Sequence, residues 1–279
     1  MGVVTQIGAV IGQATGVLTE QQAQAIAKTG VAWDKAYEDI TPEQEYYIGR
    51  AVGANILSAY KLKNAPAQLS YVNRICNALV INSPRPEIYN GYHVNILDSD
   101  EINAFATPGG HIFITGGLIG STISEDTLAS VIAHEIAHIQ LQHGLKAIKD
   151  SRKTQAKMEL LNVGTTMLTN TELEEITGVF GVGVNDIVNS LMNGYSQQQE
   201  FDADSTALAL LELAGYEPSS LLDVLKILET NQQGKPGGFN KTHPSPTQRI
   251  SNVQKSVDKY KVDDTRSFRV ARYKTAMGR

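Results

Sequence analysis

The sequence predicts an α+β protein, mainly helical, with one small mixed or antiparallel sheet. Apolar residues recur at helical spacing before Tyr92 and again after Thr115, while between those points the period drops to two and the chain is punctuated by Asp, Pro and Gly. With 279 residues of moderate hydrophobicity, the chain can bury a substantial core as one domain, or as one domain with elaborations.

Taken in order, residues 1–40 form an N-terminal extension, Ala- and Gln-rich, whose loosely spaced apolar positions read as one or two outer helices. Thr41-Pro42-Glu43-Gln44 is a helix start, since Thr can cap, Pro suits the first helical position and Gln at the third can bond back. The helix should run to about Tyr60 with Ile48, Val52, Ile56 and Leu57 on its buried side. A second covers 67–81, until Ser83-Pro84-Arg85-Pro86 breaks it. Tyr92–Leu97 alternates like a strand, and 102–107 and 111–115 flank Pro108-Gly109-Gly110 as a hairpin. Thr122-Ile-Ser-Glu125 reads as a capping box for the next helix, with Gly144 placed to end it.

Residues 145–199 look mostly helical but are interrupted by Gly164, Gly178, Gly181, Gly183 and Gly194, and read as an insertion or lid. Glu200 opens a helix that continues to Gly215, and another follows Pro218 to about Thr230. A glycine-rich loop, 232–238, leads to Thr242–Arg249 and a further helix. The main domain is thus 41–255, and the basic residues of 256–279 form a C-terminal tail, solvated or strapped across the surface.

Composition removes several function classes. A net charge of -5, with basic residues that do not interleave with aromatics, argues against a nucleic-acid partner. Cys76 is the only cysteine, which excludes an internal disulfide and a Cys-based zinc site; it reads as a small core residue. No apolar run reaches eighteen residues, so no membrane-spanning helix is expected, which leaves peripheral contact with a membrane or with envelope proteins open. The first residues lack the basic start and compact apolar core of a secretory signal, so the protein is either made without one or has lost it.

The chemistry centres on Val131–Gln140. On a helix, His134 and His138 lie one turn apart on one face, where two imidazoles can bind one metal ion. Glu135, beside the first histidine, lies next to the metal and can take a proton from water; this is the H-E-x-x-H zinc-protease pattern. The alternative is an amphipathic helix with two surface histidines. Both, however, are embedded among Val131, Ile132, Ala133, Ile136, Ala137 and Ile139, where uncompensated polar groups are costly.

A catalytic zinc takes three protein ligands and leaves a position for water. His143, five residues after His138, would point to another side of the same helix and reads as a helix-end residue. Glu200 is the better third ligand. With Asp204 it forms Glu-x-x-x-Asp on one helical face, so one carboxylate can reach the metal while the other accepts the free N–H of a ligand histidine.

Asn103–Gly110, His134–His138, Glu200–Asp204 and Thr242–Arg249 occur in that order, and over roughly 41–255 the chain resembles the zinc metalloprotease family that includes the CAAX prenyl endopeptidases, HtpX and the soluble bacterial periplasmic proteases of the BepA type. The resemblance implies a zincin-like fold whose edge strand borders the active-site cleft. It implies one zinc ion per chain at His134, His138 and Glu200, with Glu135 as catalytic base and Asp204 supporting a ligand histidine. It gives His243 the role of stabilising the oxyanion, a contribution of about 3 kcal/mol in comparable sites; read alone, it is a loop histidine bonded to nearby backbone. Asn103, Ala104, Phe105 and Ala106 fall in the family's edge-strand motif, where a peptide substrate pairs by strand addition, though Asn103 also reads as a polar residue beside a turn. Arg249 orders the site through a carboxylate contact or forms a surface salt bridge. One departure is Ser196-Gln197, where family members often carry Ser-Arg.

The expected function is therefore a zinc-dependent endopeptidase acting on peptides or unfolded proteins, with bacterial envelope quality control as the setting and the periplasm as the location by resemblance, the cytoplasm being the alternative. The competing reading is a chaperone or assembly factor that binds unfolded or membrane proteins and has low or regulated protease activity.

Overall fold

The computed structural model describes residues 38–81, 83–162, 187–189, 191, 193–231, 242–243, 246–262 and 266–278, with a few isolated positions between 10 and 27. The expected N-terminal helices, apart from those isolated positions, lie outside the described residues, as do Gly164, Gly178, Gly181 and Gly183 of the insertion and the 232–238 loop. The chain forms two compact units, one of Met1–Thr41 with Leu145–Asp186 and a larger one of Pro42–Gly144 with Ile187–Arg279. Within the first, Lys149 reaches Asp39 at 3.3 Å in an exposed pair that contributes little.

The larger unit opens with helix α1 (Pro42–Ala59), which buries Ile48, Val52 and Ile56. Leu57, assigned to the same face by spacing, is instead 40% exposed, because it lies at the margin of a stripe centred on Val52 and Ile56. Helix α2 (Pro66–Val80) begins on a proline and buries Tyr71, Val72, Ile75, Cys76 and Leu79. Burial pushes the Cys76 thiol up to about 12, which suits a packing residue rather than a nucleophile.

Strands β1 (His93–Leu97), β2 (Ala104–Thr107) and β3 (His111–Thr115) form one mixed sheet in the order β1-β3-β2. β1 runs parallel to β3, pairing His93 with His111, and β2 runs antiparallel to it, pairing Ala104 with Ile114. The β2–β3 turn is one short 3-10 stretch, Pro108–Gly110. Gly109 and Gly110 sit at φ 72° and 95°, a left-handed region that side chains rarely adopt. The outer edge of β1 is closed: the Asn73 amide donates to the Val94 carbonyl and accepts its N–H, both at 2.9 Å, and Leu62 bridges Leu97. β2 is the sheet's other edge.

After the short α3 (Gly116–Ser121) comes α4 (Glu125–Gln140), buried from Glu125 through Ile139. Its capping box pairs Ser124 with Thr127, not Thr122 with Glu125. The Thr122 hydroxyl is taken by the Ile119 carbonyl and the Tyr273 hydroxyl, which leaves the cap to Ser124. Nor does Gly144 end the helix. Leu141 caps it, Gln142 takes φ 54°, and α5 (His143–Asn162) begins at once, so Gly144 is a helical residue.

Helix α6 (Gln197–Leu213) packs along α4, and α7 (Ser220–Asn231) and α8 (Pro246–Gln254) complete the surrounding layer. α6 begins three residues before Glu200, since Ser196 and Gln199 form its capping box. The C-terminal residues, expected as a tail either solvated or strapped across the surface, form helix α9 (Arg266–Met277), with Arg269, Tyr273 and Met277 buried. The reason is electrostatic. Glu125 and Asp126 are buried in the first turn of α4 and need cations, and α9 supplies Arg272 to Glu125 and Arg269 to Asp126, the latter at 2.9 Å.

Candidate metal centre

Four segments of the chain position the site. α4 presents His134, Glu135 and His138, α6 presents Glu200 and Asp204, the segment between α7 and α8 carries His243, and α8 supplies Arg249. All seven are 2% exposed or less, so their polar atoms must be satisfied within the protein or by a bound group.

One nitrogen or oxygen from each of His134, His138, Glu200 and His243 lies within 4.8 Å of the others. Nε2 of His134 is 3.1 Å from Nε2 of His138 and 3.4 Å from Glu200 Oε2. Nε2 of His138 is 3.5 Å from Glu200 Oε1. Nδ1 of His243 is 3.4 Å from His134 Nε2 and 3.0 Å from Glu200 Oε1. Four donors around a tetrahedral zinc, at bonds of roughly 2.0–2.1 Å, stand about 3.3–3.4 Å apart. The separations here, 3.0–3.5 Å, bracket that value, with Glu200 turning one oxygen to His134 and the other to His138 and His243. Imidazole and carboxylate donors suit zinc, a borderline ion, and the residues present fit it.

Behind these donors lies a second set of contacts. Nδ1 of His134 is 3.1 Å from Asp204 Oδ1. Arg249 is buried rather than on the surface: its Nε and Nη2 donate to the two Asp204 oxygens at 2.9 and 2.7 Å, and its Nη1 stands 2.8 Å from Glu200 Oε2. Burial opposes ionisation of Glu200, yet His243 and Arg249 hold it well below the usual carboxylate range. Burial and Arg249 push His134 down, but hydrogen bonds to Asp204 and Glu200 outweigh them and raise it to about 9. Burial and the neighbouring His134 take His138 well below the ordinary histidine value.

Glu135 differs from the others. Both its oxygens are buried without a hydrogen-bond partner among the described residues, and His243 Nε2 lies 3.6 Å from Oε1. Burial raises its pKa, with His243 and His134 opposing. A carboxylate of this kind suits general acid–base work near neutral pH.

Asn103 is buried beside the site. Its Oδ1 accepts the Ala104 N–H at 2.9 Å and the Thr242 hydroxyl at 3.0 Å, tying the start of β2 to the residue before His243. Ala104, Phe105 and Ala106 are buried in β2. Gln197, where the family pattern often has arginine, bonds Gln248 of α8 at 2.6 Å on the surface.

The sequence assigns His143 to a helix end and gives Tyr195 no role, yet both lie against His138. His143 is 5% exposed, and its Nδ1 is 2.9 Å from His138 Nδ1. An unbroken helix would place it about 140° round the axis from His138, but the turn at Gln142 brings it back. Tyr195, at the foot of α6, stacks on the His138 ring at 4.2 Å and 18°. Its one sequence signal is its place just before the Ser196 cap.

The family model of peptidase family M48 matches residues 66–257. A beta-barrel assembly-enhancing protease of Yersinia pestis is 26% identical over 231 residues, which cover 81% of this chain and 46% of the relative. The protein of the same name from Escherichia coli is 24% identical over 241 residues, covering 83% and 48%. A mitochondrial metalloendopeptidase OMA1 from Schizosaccharomyces pombe is 24% identical over 225 residues, covering 79% and 63%. The chain thus spans about half the length of the assembly-enhancing proteases it matches. A match over that stretch takes in every group of the donor cluster and both carboxylate partners of Arg249, and it places this chain in peptidase family M48.

Proposed function

We propose that this chain is a zinc-dependent endopeptidase, with His134, His138 and Glu200 as ligands and Glu135 as the general base and acid. The observation that carries the reading is a buried cluster of four donor atoms within 4.8 Å of one another, with a carboxylate at its side whose oxygens have no hydrogen-bond partner among the described residues. Zinc held there supplies Lewis acidity, which makes water a competent nucleophile near neutral pH. Glu135 accepts the proton that water loses as it attacks the peptide carbonyl, then passes it to the leaving amine. Asp204 holds His134 in the tautomer that turns Nε2 toward the donor cluster, and Arg249 balances the charge of both α6 carboxylates.

His243 is the oxyanion donor in this reading. Its Nδ1 is one of the four clustered donor atoms, so a zinc held by His134, His138 and Glu200 would have room for water only if the His243 ring drew back. The 242–243 segment is bound to Asn103 through Thr242, which couples His243 to the edge strand. Substrate then pairs with β2, at Asn103–Ala106. The closed outer edge of β1 supports this choice of strand.

The proposal extends to protein quality control in the bacterial envelope, with peptides or unfolded proteins as substrates and the periplasm as the site of action; that two relatives are named beta-barrel assembly-enhancing proteases supports it. No described helix is long and apolar enough to cross a membrane. Incubating the purified chain with casein, with and without a chelator, tests the activity. Cleavage that chelator abolishes and added zinc restores is the expected result, whereas no zinc-dependent cleavage under several activation conditions would favour a chaperone or assembly factor.

A further inference from the structure

We propose that His143 is a positioning residue for the metal site, the hydrogen-bond acceptor that fixes the tautomer and ring orientation of His138. The inference rests on the zinc-site reading above and concerns a contact absent from the ligand pattern itself.

The two α4 histidines face the donor cluster in the same way and are held from behind by different chemistry. His134 turns Nε2 to the cluster and Nδ1 to the Asp204 carboxylate, 3.1 Å away. His138 also turns Nε2 to the cluster, but its Nδ1 meets the Nδ1 of another imidazole, His143, at 2.9 Å. A contact of that length between two ring nitrogens needs one hydrogen between them. If that hydrogen belonged to His143, the lone pair of His138 would face away from the cluster and its Nε2 would carry a proton among the metal's donors. The arrangement compatible with metal binding therefore has His138 donating from Nδ1 and His143 accepting.

Packing limits the alternatives. Tyr195 lies flat on the His138 ring at 4.2 Å and 18°, so His138 cannot turn over without displacing a buried aromatic. The 2% exposure of His138 and 5% of His143 leave little room for water to take the acceptor role. The backbone supplies the placement: α4 stops at Gln140, and Gln142 at φ 54° redirects the chain so that the first residue of α5 faces back toward the last turn of α4.

The test is zinc affinity of the full chain, measured at one pH by competition with a chromophoric chelator. His143→Phe removes the acceptor and is expected to weaken zinc binding about 10–100-fold, the usual effect of losing such a partner. His143→Gln, whose side-chain carbonyl can accept the same hydrogen, should stay within a few-fold of the unsubstituted chain. Long-range proton–nitrogen spectra of the zinc-loaded unsubstituted chain should show hydrogen on Nδ1 of His138 and none on Nδ1 of His143. The inference is overturned if His143→Phe binds zinc as tightly as the unsubstituted chain, if His143→Gln is as weak as His143→Phe, or if Nδ1 of His138 carries no hydrogen. The spectra decide alone should His143→Phe not fold. An unsubstituted chain that binds no zinc would overturn the site reading and this inference with it, while zinc binding without the expected tautomer overturns this inference only.

Discussion

Replacing Arg249 with methionine tests whether the site is held together by charge balance. Without metal, the buried carboxylates of Glu135, Glu200 and Asp204 face the Arg249 guanidinium and a His134 whose pKa is raised to about 9. Arg249 makes two hydrogen bonds to Asp204 and an ion pair to Glu200 while only 1% exposed, so water cannot replace it. Removing one partner of a buried pair costs about 3–5 kcal/mol, because the remaining charge stays buried. For a domain of roughly 200 residues, at about 2–4 °C per kcal/mol, this amounts to a fall of about 6–20 °C in melting temperature.

The loss should depend on metal. Zinc held by the donor cluster would bring two positive charges beside Glu200 and leave Asp204 to Arg249, so Arg249→Met should destabilise the zinc-loaded chain less than the stripped one. Arg249→Lys restores a charge without the two-pronged contact to Asp204 and should fall between. Scanning calorimetry in a Glu135→Gln background, with and without zinc, measures both differences free of self-cleavage. If Arg249→Met melts within about 2 °C of its parent in the stripped state, the view that these carboxylates depend on a buried cation is wrong.

Other substitutions test other links. Glu135→Gln should retain zinc by metal analysis while casein cleavage falls by about 10²–10⁴-fold or more; cleavage at the parental rate would remove Glu135 from the chemistry. Gly49→Ala would set a Cβ 1.7 Å from the Pro108 carbonyl oxygen, forcing α1 away from the β2–β3 turn. A loss of roughly 1–3 kcal/mol or more should appear as a lower urea midpoint. Ser124→Ala removes the cap of α4 and should cost about 1 kcal/mol, a fall of about 2–4 °C in melting temperature; an unchanged melt would show that the tertiary contacts of this helix make its cap dispensable.

What could be read from the sequence was largely what is local. The spacing of His134 and His138, and of Glu200 and Asp204, is a property of a single helical turn, so their shared faces follow without tertiary information. The hairpin around Gly109 and Gly110 is equally local. What escaped depends on a chain reversal or on distant partners. A left-handed Gln142 carries no strong signature, and it moves His143 from the far side of the helix to the back of His138. Thr122 looked like a cap because its hydroxyl is near a helix start, but Tyr273, 151 residues later, claims it. The sequence leaves the basic C-terminus either solvated or strapped to the surface, because the acids that bind it, Glu125 and Asp126, lie on a helix distant in sequence.

The same accounting along α4 explains why Glu135 stands apart. A helix buried over almost its whole length can keep polar side chains only where each finds a partner. At its start, Glu125 is held by Tyr71, Tyr216 and Arg272, and Asp126 by Arg269 and the Glu217 N–H. Ser130 meets Ser220, His134 meets Asp204, and His138 meets His143. At its end, Arg85 donates to the Ile139 carbonyl, a cation placed where the helix dipole favours one. Among the described residues of this helix, Glu135 is the charged group whose oxygens have no hydrogen-bond partner. A fold that satisfies its neighbours on either side and leaves this carboxylate without a hydrogen bond beside the donor cluster is consistent with the general-base role proposed for it.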